Sequence, residues 1–164
     1  MNSDPENHII IKDIGFSLLA EGTTLRVKAE GYSMYPSIKP GSQILIEPVA
    51  DDYFPSPGEI IAWKRKSGLV VHRLVRIVKE GSNTLYITRG DSCAYEDQPV
   101  IHDQIAGKVI QVETSSGSPL AYGDKLIRKP SYLYNRLMVW LLVRVRKVLN
   151  PLPSRFAKAT RDKL

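Results

Sequence analysis

"EIIAWKRKSGLVVHRLVRI", residues 59–77, sets the fold class. Two runs rich in β-branched residues flank a corner at Lys66 to Gly68, the pattern of an antiparallel hairpin. In the second arm a period of two puts Val70, His72, Leu74 and Val78 on one face and Leu69, Val71, Val75 and Ile77 on the other. His72 thus stands among aliphatic side chains, where an imidazole calls for a reason.

Working outward, "TLRVKAEG" (24–31), "SQILIEP" (42–48), "TLYITRG" (84–90) and "QIAGKVIQVET" (104–114) are likewise short and often alternating. They are separated by Pro-Gly at 40–41 and 57–58 and by Gly-Ser at 81–82. A mainly β, antiparallel domain of six or seven strands is expected over residues 23–115. Before it, in residues 1–22, Ile10, Ile11, Ile14, Leu18 and Leu19 recur at helical intervals and the run stops at Gly22, so a short helix is expected. After Ser115, "SSGSPLAYGDK" reads as loop within a linker of residues 116–130. "PSYLYNRLMVWLLVRVRKVLNPLP" then predicts a basic amphipathic helix from Ser131 to Asn150-Pro151, followed by a tail to residue 164.

A chain of 164 residues with 43% apolar and 24% charged residues is long enough for one domain with a real core. Its single cysteine, Cys93, excludes an internal disulfide, and His8, His72 and His102 lie too far apart for a metal motif, so neither a metal nor another cofactor is expected. The N-terminus is acidic where a secretory signal is basic, which leads us to expect a protein kept on the cytoplasmic side. Charge is uneven: residues 1–124 carry 12 Lys/Arg against 16 Asp/Glu, residues 125–164 carry 11 against 1. The uncharged run Leu137 to Val143 is far short of the roughly 20 residues that span a bilayer. The C-terminal helix suits peripheral contact with a membrane through residues 131–150, and equally suits docking on the β domain or on a second subunit. No nucleic acid is expected as a partner, because no reading motif accompanies the basic tail.

Chemistry is suggested by "GYSMYPSIKPGSQILIEP", residues 31–48, which places Ser33 in a turn before a strand. A serine hydroxyl needs an adjacent base, and His72 is the candidate. A carboxylate would then hold the imidazole in one tautomer, and "RGDSCAYEDQPV" (89–100) offers Asp91, Glu96 and Asp97. Cys93 and His102 read as structural.

These three stretches with "AGKV" (106–109), in this order, resemble the four boxes of the type I signal peptidase family, which shares a β-fold with the self-cleaving SOS repressors. The resemblance covers roughly residues 24–113 and implies a signal-peptidase-like antiparallel β-fold. It implies Ser33 as nucleophile and His72 as base, where bacterial signal peptidases and the repressors have lysine. Histidine there is similar to the archaeal, endoplasmic-reticulum and sporulation-type branch. In that branch an aspartate six residues after the one in the Gly-Asp box completes the site, which here is Asp97. Asp91 and Arg73 would be supporting residues. Gly31 stands where many members have an oxyanion-binding serine, so the backbone N–H groups of Ser33 and Tyr32 are expected to form the hole.

The implied activity is that of a serine endopeptidase, cleaving a leader, signal or propeptide of a precursor protein through an acyl-enzyme. A histidine base needs no full burial, so activity should rise through a pKa of about 6 to 7. The competing reading is a non-hydrolytic peptide-binding module on the same fold. A self-cleaving repressor is disfavoured: too few residues precede the β domain for a helix-turn-helix, and Ala106-Gly107 lies in a late strand rather than upstream of Ser33.

Overall fold

The computed structural model describes residues 15–65, 68–127 and 129–149. A helix, α1, covers residues 15–20, and eight strands follow: β1 (Leu25–Lys28), β2 (Gln43–Pro48), β3 (Ile60–Arg65), β4 (Gly68–Glu80), β5 (Asn83–Arg89), β6 (Val100–Ile101), β7 (Ile105–Glu113) and β8 (Pro119–Tyr122). A long helix, α2 (Tyr132–Leu149), closes the described chain. The strands form one antiparallel sheet in the order β1-β2-β7-β3-β4-β5-β6, with β8 paired to β7. The mainly β class with a helix at each end is the expected one. Residues 1–14 of the expected N-terminal segment and the tail 150–164 lie outside the described residues.

β3 explains why one sheet makes two cores. Hydrogen-bonded between β4 and β7, it has Ile60, Ile61, Ala62 and Trp63 all buried, as a strand covered on both faces requires. Ile60 and Ala62 join Ile44, Ile46, Val109 and Val112 in the larger core, which Leu19 of α1 also enters. Ile61 and Trp63 join Leu74, Tyr86, Val100 and Ile105 in the second. β2 alternates cleanly, Ile44 and Ile46 inward against half-exposed Gln43, Leu45 and Glu47, because only one of its faces is covered.

Three expectations need correction. Residues 119–122 form β8 rather than loop, because Thr114 and Ser118 close a tight turn, Thr114 N–H donating to the Ser118 carbonyl at 2.8 Å, and fold the chain back on β7. Gly68, expected in the hairpin corner, already belongs to β4 and pairs with Arg65, and residues 66 and 67 lie outside the described residues. Beyond Leu74 the strict alternation of β4 fails: a bulge at Val75 sets Leu74 opposite Thr88 but Arg76 opposite Ile87, and Ile77 turns to solvent. Among the described residues no helix is long and apolar enough to cross a membrane.

Candidate active site

The turn carrying Ser33 is built by residues that do no chemistry. Gly31, with φ of 75°, lets the chain reverse after β1, a conformation costly for any residue with a Cβ. Tyr35 N–H closes on the Tyr32 carbonyl at 3.0 Å. Met34 and Ile38 plunge into the larger core. From the far side Ser92 clamps the turn, its N–H donating to the Ser33 carbonyl at 2.9 Å and its hydroxyl to the Tyr32 carbonyl at 2.6 Å. Ser33 is thereby held between a buried anchor and the Gly90–Cys93 turn, while its own side lines a cavity.

His72 projects from β4 into the same cavity. Its Nδ1–H donates to Oδ2 of Asp97 at 2.7 Å, and the Thr88 hydroxyl donates to that same oxygen at 2.7 Å. Asp97 is further tied to Thr88 through its main-chain N–H, 2.8 Å from the Thr88 carbonyl. Burial by itself would push the Asp97 carboxyl up. The hydrogen bonds from His72 and Thr88, aided by the charges of His72 and Arg65, outweigh it and hold the group below the usual carboxylate range. An ionised carboxylate only accepts, so the imidazole proton sits on Nδ1 and the Nε2 lone pair is left for another donor.

The sign of this shift makes a stability prediction. A carboxyl whose folded pKa is depressed stabilises the fold fully above the ordinary carboxylate range, and the contribution is lost as pH falls through the folded value. Asp97→Asn should therefore cost about 1–2 kcal/mol at neutral pH, and the gap to wild type should begin to narrow as pH falls below about 4. Urea midpoints of both proteins from pH 7 down to 3 check this; a gap that persists unchanged in acid contradicts it.

Gly90 shows how tightly the parts converge. A Cβ at this position would stand 2.5 Å from Sγ of Cys93, 2.7 Å from the Ser33 carbonyl oxygen and 3.1 Å from His72 Nε2. The cysteine side chain can move aside, but the Ser33 carbonyl belongs to a pinned turn. Gly90→Ala is expected to cost about 1–3 kcal/mol by overpacking and, by shifting Ser33 relative to His72, about a hundredfold or more in turnover. Parallel thermal melts and rate measurements separate the two effects; wild-type turnover in the alanine variant would refute the packing argument.

Asp91, six residues before Asp97, does different work. Its carboxylate is fully buried and takes two hydrogen bonds from the equally buried Arg73, Nε–H to Oδ1 and Nη2–H to Oδ2, both at 2.8 Å. The Ser37 hydroxyl also donates to Oδ2. Arg73 spends Nη1 on the carbonyls of Gly58 and Leu126, each at 2.6 Å. The main-chain carbonyl of Asp91 accepts from Asn135 Nδ2 of α2 at 2.9 Å. One ion pair thus joins β4, the Ser33 turn, the Gly90 turn, the 3-10 turn Gly123–Leu126 and α2. Arg73 and Asp91 act on the site through the backbone they hold.

The cavity that Ser33 and His72 share is about 590 Å³, walled mainly by Leu25, Val27 and Ala29 on the β1 side and Leu69 and Val71 on the β4 side, within the size range of ligand sites. Of the other candidates, burial and the nearby Asp97 push the Cys93 thiol up, away from the thiolate a nucleophile needs. His102 lies apart in a 3-10 turn, its Nε2–H donating to the Asp51 carbonyl at 3.1 Å. Among the described residues no group of three or more His, Cys, Asp or Glu side chains could hold a metal ion.

Sequence reading did not single out Thr88, Ser92, Ser37 or Asn135. Each is a small polar residue of a kind common in turns and strands, and no local pattern marks it. Only the partner across the fold gives each its role.

No family model matches the chain. Over 84 residues it is 33% identical to Signal peptidase I W of Bacillus subtilis (strain 168), a stretch covering 51% of this chain and 44% of that protein. The chain therefore spans less than half the length of that relative, and its likeness to a signal peptidase I extends over about half of its own residues.

Proposed function

We propose that the protein is a serine endopeptidase that cleaves a leader, signal or propeptide, with Ser33 as nucleophile, His72 as general base and Asp97 orienting the base. The observation that carries this reading is the convergence at Gly90, where the Ser33 carbonyl and His72 Nε2 both lie within about a van der Waals contact of one point, with Asp97 bonded to the opposite imidazole nitrogen. The likeness to Signal peptidase I W supports the same class of chemistry.

In this reading Ser33 Oγ attacks the scissile carbonyl as its proton passes to His72 Nε2. The imidazolium is stabilised by Asp97, which keeps its charge. The developing oxyanion is received by the backbone N–H groups of Ser33 and Tyr32. Nε2–H then protonates the departing amine, and a water activated by the same nitrogen hydrolyses the acyl-enzyme. β1 is the terminal strand of the sheet and borders the cavity. An extended substrate can add to its edge, main chain to main chain, with side chains entering the apolar wall beside Ala29.

The test is labelling by a serine-directed fluorophosphonate at several pH values, with the adduct located by mass spectrometry. An adduct on Ser33 that forms in the wild type and fails in His72→Ala supports the reading. Peptide capture without an adduct, unaltered in Ser33→Ala, would instead make the protein a non-hydrolytic peptide-binding module.

A further inference from the structure

Surface helices bury their apolar stripe and show a polar face to water. α2 follows this rule only in part. Its inward side carries half-buried Met138, Val139 and Val143 beside three polar contacts: the Tyr132 ring lies under the Arg89 guanidinium at 3.7 Å, Asn135 holds the Asp91 carbonyl, and Arg146 reaches the Tyr32 hydroxyl at 3.4 Å. The outward side is apolar apart from Arg144, which stands between Leu141 and Val148. Leu133, Leu137 and Leu141 follow at intervals of four, Val148 continues the stripe, and all are exposed, Leu137 at 60% and Val148 at 78%.

The charges around the stripe distinguish its possible occupants. Arg146 faces the domain, whereas Arg136, Arg144 and Lys147 lie on or beside the stripe, and the helix has no acidic residue. A second copy of the chain packed stripe to stripe would set these cations against their equivalents, which is unfavourable. An anionic surface meets them with opposite charge. The aromatics suit the same occupant: Trp140 and Tyr134 flank the stripe, both half exposed, and the Arg144 guanidinium lies 4.3 Å over the Trp140 ring, an arrangement fitted to the boundary between headgroups and acyl chains.

We infer that α2 is an interfacial helix that lies on an anionic lipid bilayer, its Leu133-Leu137-Leu141-Val148 stripe in the acyl boundary and its cations among the headgroups. With four cations in 18 residues it lies on the bilayer and does not span it. Because Asn135 and Arg146 bind the helix to Asp91 and Tyr32, the bound bilayer is held at a fixed orientation to the turn that carries Ser33. This inference stands on the helix alone and is independent of the peptidase reading.

The experiment is co-sedimentation of the full chain with vesicles of phosphatidylcholine, with and without one-third phosphatidylglycerol. Binding to the anionic vesicles is expected to exceed that to pure phosphatidylcholine by at least about tenfold and to weaken with salt. The double variant Leu137→Asp/Leu141→Asp, altered only on the outward face, should keep its circular dichroism and lose binding by at least about tenfold. Arg136→Ser and Lys147→Ser should each lower it about fivefold. Absence of binding to anionic vesicles, equal binding to both compositions, or full binding by the double variant would overturn the inference. So would self-association in sedimentation that the double variant abolishes without any vesicle binding, which would give the face to a second copy.

Discussion

Ser33→Ala is expected to bring peptide turnover to background, a loss of about 10⁴-fold or more in kcat, with the fold unchanged. The fold survives because what holds residue 33 is its main chain: the Ser92 N–H binds the Ser33 carbonyl, and Met34 and Ile38 stay in the core. His72→Ala should lose nearly as much, and the double variant should be no worse than either single one, because in the proposed mechanism nucleophile and base act as a unit. Asp97→Ala should fall short of this, at about 10³ to 10⁴-fold, since it removes the orienting acceptor and leaves the base. Turnover of a degenerate peptide mixture followed by mass spectrometry ranks all four. Undiminished cleavage by Ser33→Ala would place the chemistry elsewhere.

The largest stability effect is expected at Arg73. Replacement by methionine removes both hydrogen bonds to Asp91 and the donors to the Gly58 and Leu126 carbonyls, and leaves a carboxylate uncompensated in a site closed to water. Breaking such a buried pair from one side costs about 3–5 kcal/mol, a fifth or more of the roughly 5–15 kcal/mol that an ordinary domain has. Arg73→Lys should recover little, because one ammonium cannot serve the carboxylate and two carbonyls in the planar fork that the guanidinium provides. In urea the midpoint should drop with the slope unchanged. A loss under about 1 kcal/mol would mean that this network is incidental to folding.

The hairpin of residues 59–77 was legible because β-branched runs on either side of a Gly corner admit few other backbones, and the same holds for the alternation of Ile44 and Ile46 on β2. Local chemistry marked His72, an imidazole among aliphatic neighbours, and offered Asp91, Glu96 and Asp97 alike as its partner; Ser33, an ordinary turn residue by type, and Asp97 became candidates through the resemblance of the four boxes. The choice between the two aspartates was not local. Asp97 meets His72 and Asp91 meets Arg73 only because β4 and β5 pair in a register that a bulge at Val75 adjusts, and a bulge leaves no periodic trace in the residues that make it. β8 was missed for a related reason: "SPLAYG" has the composition of a loop, and it becomes a strand only because the edge of β7 is there to pair with it. Residue type and short-range periodicity were enough for the class of fold, and the order of the four boxes for the candidate side chains. Which of those side chains touch, and that α2 keeps an apolar stripe turned away from the protein, were decided by tertiary structure, because partners far apart in sequence are selected by sheet register and packing.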